Sequence, residues 1–249
     1  ALSSAPASAG ESGGRRGRTM THYAAAQPTR SLVSIADMPL SFLGFPLWRA
    51  WVSLSYANPV SPTPANTAPG HLSYDIVLAA CAITVALLSS RLAPLAGKRW
   101  VYPAIALLLG FSAAANTAAV IWPATKTPLV VPATLAGGAG SALLILLWCE
   151  IYSCLGAARV ALYYALTIIG GVLLTFLLQG FREEYLYGVL IALPTLSAAL
   201  AHRSYRCHIP AEDRPAASGR RLIPWKFFLI LALFELVASY SSAAISAEP

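Results

Sequence analysis

The stretch Val101–Trp122, VYPAIALLLGFSAAANTAAVIW, contains no Asp, Glu, Lys or Arg. At about 1.5 Å rise per residue, a helix of this length crosses the ~30 Å hydrocarbon core of a bilayer. Trp100 and Tyr102 stand at its start and Trp122 at its end, where amphipathic rings settle at headgroup depth. Lys98 and Arg99 precede it and Lys126 follows. An uncharged apolar run with aromatic and basic ends reads as a transmembrane helix.

Six further apolar segments flank it. They run from about Leu40 to Tyr56, Tyr74 to Leu92, Leu129 to Leu155, Val160 to Leu178, Tyr185 to Ala201 and Phe227 to Ile245. Pro46 and Arg49 interrupt the first, and Pro194 breaks the sixth segment of the chain. The runs are continuously apolar, whereas the strands of a membrane barrel alternate over short stretches. The expected fold is therefore all-α, a polytopic transmembrane bundle of about seven helices. Composition agrees: 57% of the 249 residues are hydrophobic and only 11% charged, against about 25% charged in soluble domains. The mean hydropathy is +0.64.

A formal charge of +7 invites a nucleic-acid reading, which would need the basic residues gathered on one soluble face. Here they lie in short segments between apolar runs. Arg15, Arg16, Arg18 and Arg30 precede the first run. Arg91, Lys98 and Arg99 follow the second, and Arg159 follows the fourth. Arg203, Arg206, Arg214, Arg220, Arg221 and Lys226 follow the sixth. Those fourteen fall on one side, leaving Lys126 and Arg182 on the other. The positive-inside bias then places the N-terminus in the cytoplasm. This chain is expected to touch lipid and not nucleic acid.

The expected organisation is a disordered cytoplasmic tail over 1–38, a six-helix bundle over 39–202, a basic cytoplasmic linker over 203–225 and a seventh helix over 226–249. The tail lacks the apolar core of a signal peptide. The chain opens on Ala1, with Met20 an internal candidate start, and the reading expects a piece of a longer protein. Six helices, a linker and a restart is the plan of a two-halved transporter.

Four charged residues fall at membrane depth: Arg49, Asp75, Glu150 and Glu235. An unpaired charge there costs at least ~2.5–3.5 kcal/mol. Glu235 sits near the middle of the seventh run, a candidate ligand or proton site, and Arg49 is its partner by charge. The pair reads equally as a structural ion pair. Asp75 is expected to cap the outer end of the second helix, and Glu150 to reach water or pair with Arg159. Gly137, Gly138 and Gly140 in the fourth run, and Gly170 and Gly171 in the fifth, are expected to let helices approach closely. Cys81, Cys149, Cys154 and Cys207 form no CxxC pair and, with the histidines, no zinc set. No catalytic pairing, metal or cofactor motif is found, so no enzyme is expected.

The loop Ser90–Arg99, SRLAPLAGKR, resembles the signature between the second and third helices of the major facilitator superfamily. Gly97, Lys98 and Arg99 match its closing residues. Ser90 stands where the family has glycine and Pro94 where it has an aspartate that latches the two halves of the transporter. The bundle thus resembles the N-terminal half of that fold plus one helix, put to another use. Trp148–Leu155, WCEIYSCL, with Tyr163–Tyr164 and with Trp48 and Trp51 in the first run, resembles the membrane domain of LuxR-family regulators. That resemblance covers roughly residues 40–246. It implies a bacterial cytoplasmic-membrane sensor of a small ligand, with a DNA-binding helix-turn-helix in the full-length parent. The alternative is a truncated secondary transporter. A third reading is a small seven-helix membrane protein complete in itself.

Overall fold

The computed structural model describes residues 39–57, 68–211 and 214. Throughout them the chain is helical, with no strand. Helix α1 is Phe45–Val52, entered through a 3-10 turn, Leu40–Gly44, and left through a π-helical turn, Ser53–Ala57. Then follow α2 (Ala68–Leu87), the single turn α3 (Ser89–Leu92), α4 (Val101–Ile121), α5 (Lys126–Ser153), α6 (Ala157–Gln179) and α7 (Glu183–Cys207).

Five of these, α2, α4, α5, α6 and α7, are long and apolar enough to cross a membrane. The expectation was seven. Two differences account for the shortfall. The first segment is not one straight helix: Pro46 sits in the first turn of α1, where its missing N–H costs nothing. The α-helical part then lasts only eight residues before the π-helical turn. The seventh segment, and Glu235 with it, lies outside the described residues, as do the 1–38 tail and most of the linker.

The helix ends differ from expectation in two instructive places. Helix α2 begins at Ala68, not Tyr74, because Pro69 is tolerated in a first turn. Helix α7 runs unbroken through Pro194 to Cys207, past the expected boundary at residue 202. Glu183 and Glu184 in its first turn and Arg206 in its last turn complement the helix dipole at both ends.

Helix α5 is the centre of the bundle. It packs most extensively on α4 and on α2, while α4 also packs on α7. Helix α1 lies against α6 and α7. The core is aromatic: Trp51 and Trp148 are its two largest wholly buried side chains. Phe45 stacks on Trp48 at 5.0 Å, and Tyr152 lies parallel to Tyr163 at 6.2 Å. Of the residues that carry the LuxR resemblance, Trp48, Trp51, Trp148, Ile151, Tyr152 and Tyr163 are core residues, whereas Ser153 and Tyr164 are exposed.

The outer faces are as apolar as the core. On α6, Val172, Leu173, Phe176 and Leu177 are exposed, and on α2 so are Leu72, Ile76, Ile83 and Leu87. Water would penalise each of these surfaces at about 25 cal/mol per Å²; hydrocarbon would not. Exposed faces of this kind are consistent with helices that lie in a bilayer, as in a multi-pass membrane protein.

Candidate functional site

Two polar assemblies stand out in this apolar frame, and the first is signalled by no local motif. The first lies among α1, α2, α4 and α5. The Ser141 hydroxyl of α5 accepts from the Trp48 indole N–H at 3.0 Å and from the Tyr74 hydroxyl at 2.8 Å. Tyr74 stacks on Tyr56 with ring centroids 4.2 Å apart. The Tyr56 hydroxyl in turn shares a hydrogen bond of 3.0 Å with Ser112 of α4. Every one of these side chains is buried. One turn along α4, Asn116 lies beside the Tyr56 hydroxyl. Yet neither polar atom of its buried amide makes a hydrogen bond of good geometry, and nor does the Trp51 indole N–H.

Gly137 makes room for this arrangement. A Cβ there would meet the Tyr56 hydroxyl and lie 2.7 Å from Ser112 Oγ. Gly138 and Gly140 bring α5 equally close to its neighbours. A Cβ at the former would sit 2.9 Å from Val77, and at the latter 2.8 Å from Leu109. In a bilayer, helices meet through such small residues and through buried hydrogen bonds, because lipid supplies no hydrophobic drive between them. The assembly is uncharged and holds no acid or base. Chemically it can order helices and present hydroxyl and amide groups, but not transfer protons to a substrate.

The second assembly ties the loop between α2 and α4 to α5. The Glu150 carboxylate accepts the Leu95 N–H on Oε1 at 3.0 Å and the Ala96 N–H on Oε2 at 2.8 Å. Tyr102 of α4 donates to the Ala96 carbonyl at 2.8 Å. Leu95 and Ala96 are buried beneath this clasp. Glu150, expected from sequence to reach water or pair with Arg159, is half-buried and makes no ion pair among the described residues. Two successive amides satisfy both its oxygens, the charge-assisted form of hydrogen bond. Lys98 closes the same loop by donating to the Arg91 carbonyl at 2.9 Å. A Cβ at Gly97 would make only ordinary contact with Pro94, and Arg99 is exposed.

The other candidates fall elsewhere. Asp75 is not an end cap: α2 starts seven residues earlier, and the carboxylate pairs with His71 one turn back at 3.1 Å. Gly170 lies against Pro46, and Gly171 against the stem of Arg49. Arg49 itself is half-buried between α1 and α6. Its expected partner Glu235 is outside the described residues. The structure thus gathers Gly137 into the first assembly and Gly97, Lys98 and Glu150 into the second. No protein-family model, curated protein or solved structure matches the chain.

Proposed function

We propose that this bundle is the membrane-embedded sensory domain of a LuxR-type transcriptional regulator, its helix-turn-helix output module borne by the parent protein. The observation that supports the reading is the clasp between Glu150 and the amides of Leu95 and Ala96. In the transporter signature, the acidic residue of this loop latches one half of the molecule to the other. Here Pro94 occupies that position, and the loop is fastened inside its own bundle by an acid from α5. A loop held in this way is a fixed joint between helices. It suits a domain that shifts between two packings better than one that must release the loop in every transport cycle.

In this reading a small ligand favours one packing of α1 against α5 and α6, and the change passes through α7 into the basic segment beyond it. The N-terminus and that segment face the cytoplasm of a bacterial cell, where the DNA is. The decisive experiment is to read the parent coding sequence. A helix-turn-helix domain in the same polypeptide supports the proposal. A parent protein without one overturns it.

One observation favours the second reading, a secondary transporter of the major facilitator class. Arg49 has no acidic partner among the described residues, as a substrate-binding cation would. In that case the same parent gene encodes a second set of membrane helices and no DNA-binding domain.

A further inference from the structure

Helices α4 and α7 pack on each other but leave an open groove of about 220 Å³ between them. Tyr102, Pro103 and Ala106 of α4 line one wall, and Thr195, Ala198, Ala199 and His202 of α7 the other. The lining is apolar. The Thr195 hydroxyl donates within its own helix, to the Ala192 carbonyl at 2.7 Å. Its methyl faces α4, 3.8 Å from where a Cβ on Gly110 would stand. The Tyr102 hydroxyl is engaged by the Ala96 carbonyl. The Tyr102 and His202 rings meet edge to face at 4.5 Å, near the end where α4 begins and α7 finishes. From Thr195 to His202 the groove follows α7 for about 10 Å.

Beyond that end the surface turns basic. Arg206 lies one turn past His202, on the same face of α7, and is exposed. Arg214 folds back onto the same end, donating to the Arg206 and Ile209 carbonyls. The charges of both arginines reach the Tyr102 hydroxyl. Residues 203–226 hold six basic side chains against Glu212 and Asp213, so the segment that leaves α7 is basic as a whole.

We infer that the groove holds one acyl chain of an anionic phospholipid, with the phosphate at the Arg206 end. Its volume is below the ~300–1,000 Å³ of a pocket that encloses a drug-sized ligand. It suits a single chain lying lengthwise with one side open to the bilayer. A transmembrane helix, about 10 Å across with its side chains, would ride over the groove rather than fill it. With the Thr195 and Tyr102 hydroxyls engaged, these walls offer hydrocarbon contact, and the choice of headgroup falls to the arginines. A phosphodiester takes charge-assisted hydrogen bonds from a guanidinium. A zwitterionic headgroup brings its own cation and gains less. Trp100 is exposed just before α4, at the depth where indole rings meet headgroups, so phosphate and arginine stand at one level. The inference rests on these helices lying in lipid and holds whether the bundle senses or transports.

The test is native mass spectrometry of the purified chain in detergent, titrated with phosphatidylglycerol or with phosphatidylcholine of the same acyl chains. One phosphatidylglycerol is expected to bind saturably, about fivefold or more tightly than phosphatidylcholine. Arg206→Gln removes about that factor, while Arg182→Gln, beyond the opposite end of α6, removes none. Ala199 is an exposed wall of the groove, so Ala199→Phe fills it from outside and weakens both lipids about tenfold or more. Leu173→Phe, on the exposed face of α6, changes neither. Should Ala199→Phe fail to fold, Arg206→Gln, at an exposed site, decides alone. Equal affinity for the two lipids overturns the inference, as does binding that survives Ala199→Phe or falls as far in Arg182→Gln as in Arg206→Gln. So does a dimer in the same spectra that Ala199→Phe dissociates, for a second copy then covers the groove.

Discussion

Glu150 and Ala96 are 54 residues apart in the chain and joined by a 2.8 Å hydrogen bond between carboxylate and backbone amide. With the companion bond to Leu95, this ties α5 to the turn that feeds α4. Hydrogen bonds to a charged group contribute about 1.5–3 kcal/mol each. Glu150→Gln keeps one acceptor but turns an NH2 toward the second amide. The expected outcome is a fall in stability of about 2–3 kcal/mol and faster hydrogen exchange at Leu95 and Ala96, with exchange in mid-α4 unchanged. Unchanged exchange at those two amides would show that the clasp does not hold the loop.

Ser141→Ala should uncouple α1 and α2 from α5. It leaves the Trp48 indole N–H and the Tyr74 hydroxyl without their acceptor. A buried orphan costs about 1–3 kcal/mol, although hydrogen bonds within membrane proteins average nearer 0.6. Denaturation in mixed micelles should show a loss of about 1–3 kcal/mol in all. Tryptophan fluorescence should shift in the same variant, because Trp48 loses its partner.

The glycines of α5 and α7 separate by what surrounds them. Gly137→Ala forces a Cβ into the Tyr56 and Ser112 hydroxyls, and overpacking of that kind costs about 1–3 kcal/mol. Gly188 has nothing within 4 Å of an added Cβ, so Gly188→Ala should stabilise α7 by about 0.5–1 kcal/mol through its helix propensity. Adding Tyr56→Phe to Gly137→Ala should recover part of the loss, since it removes one of the two atoms in the way. Unfolding curves of the four proteins decide this directly.

The long helices were legible in the sequence because a bilayer leaves a crude signal: about twenty apolar residues with polar ends. The polar assemblies were not. Trp48 and Ser141 are separated by 93 residues, Tyr74 and Ser141 by 67, and Tyr56 and Ser112 by 56. Nothing local marks a serine or tyrosine as facing another helix. Glu150 is expected from sequence to reach water or pair with Arg159, but its partners are the backbone amides of Leu95 and Ala96, which every loop offers and no sequence distinguishes. Asp75 is expected to cap a helix that opens near Tyr74, whereas the helix starts at Ala68 and Asp75 pairs with His71 at i,i+4 inside it. Pro194 suggested a break that α7 does not show, since neighbouring groups in a bundle can re-satisfy the backbone a proline frees.

Depth should govern tolerance to charge on the outer face of α6. Phe176 is 72% exposed and Phe181, just past the helix, 50% exposed. Phe176→Arg places a charge inside the hydrocarbon at a cost of up to about 2.5–3.5 kcal/mol, which falls toward the interface. Phe181→Arg places it near headgroups. Membrane-integrated yield should drop for the first and hold for the second. Equal yields would mean that this face of α6 does not meet lipid.

The central claim is that the long helices cross a bilayer in the order and orientation set by their loops. Its most direct test is labelling of single cysteines, introduced into a cysteine-free background at Lys98, Lys126, Arg159 and Arg182, by a membrane-impermeant thiol reagent in intact cells. The account predicts labelling at positions 126 and 182, with 98 and 159 reacting only after the membrane is opened. Labelling of all four alike, or a protein that stays in the supernatant when membranes are pelleted, would contradict it.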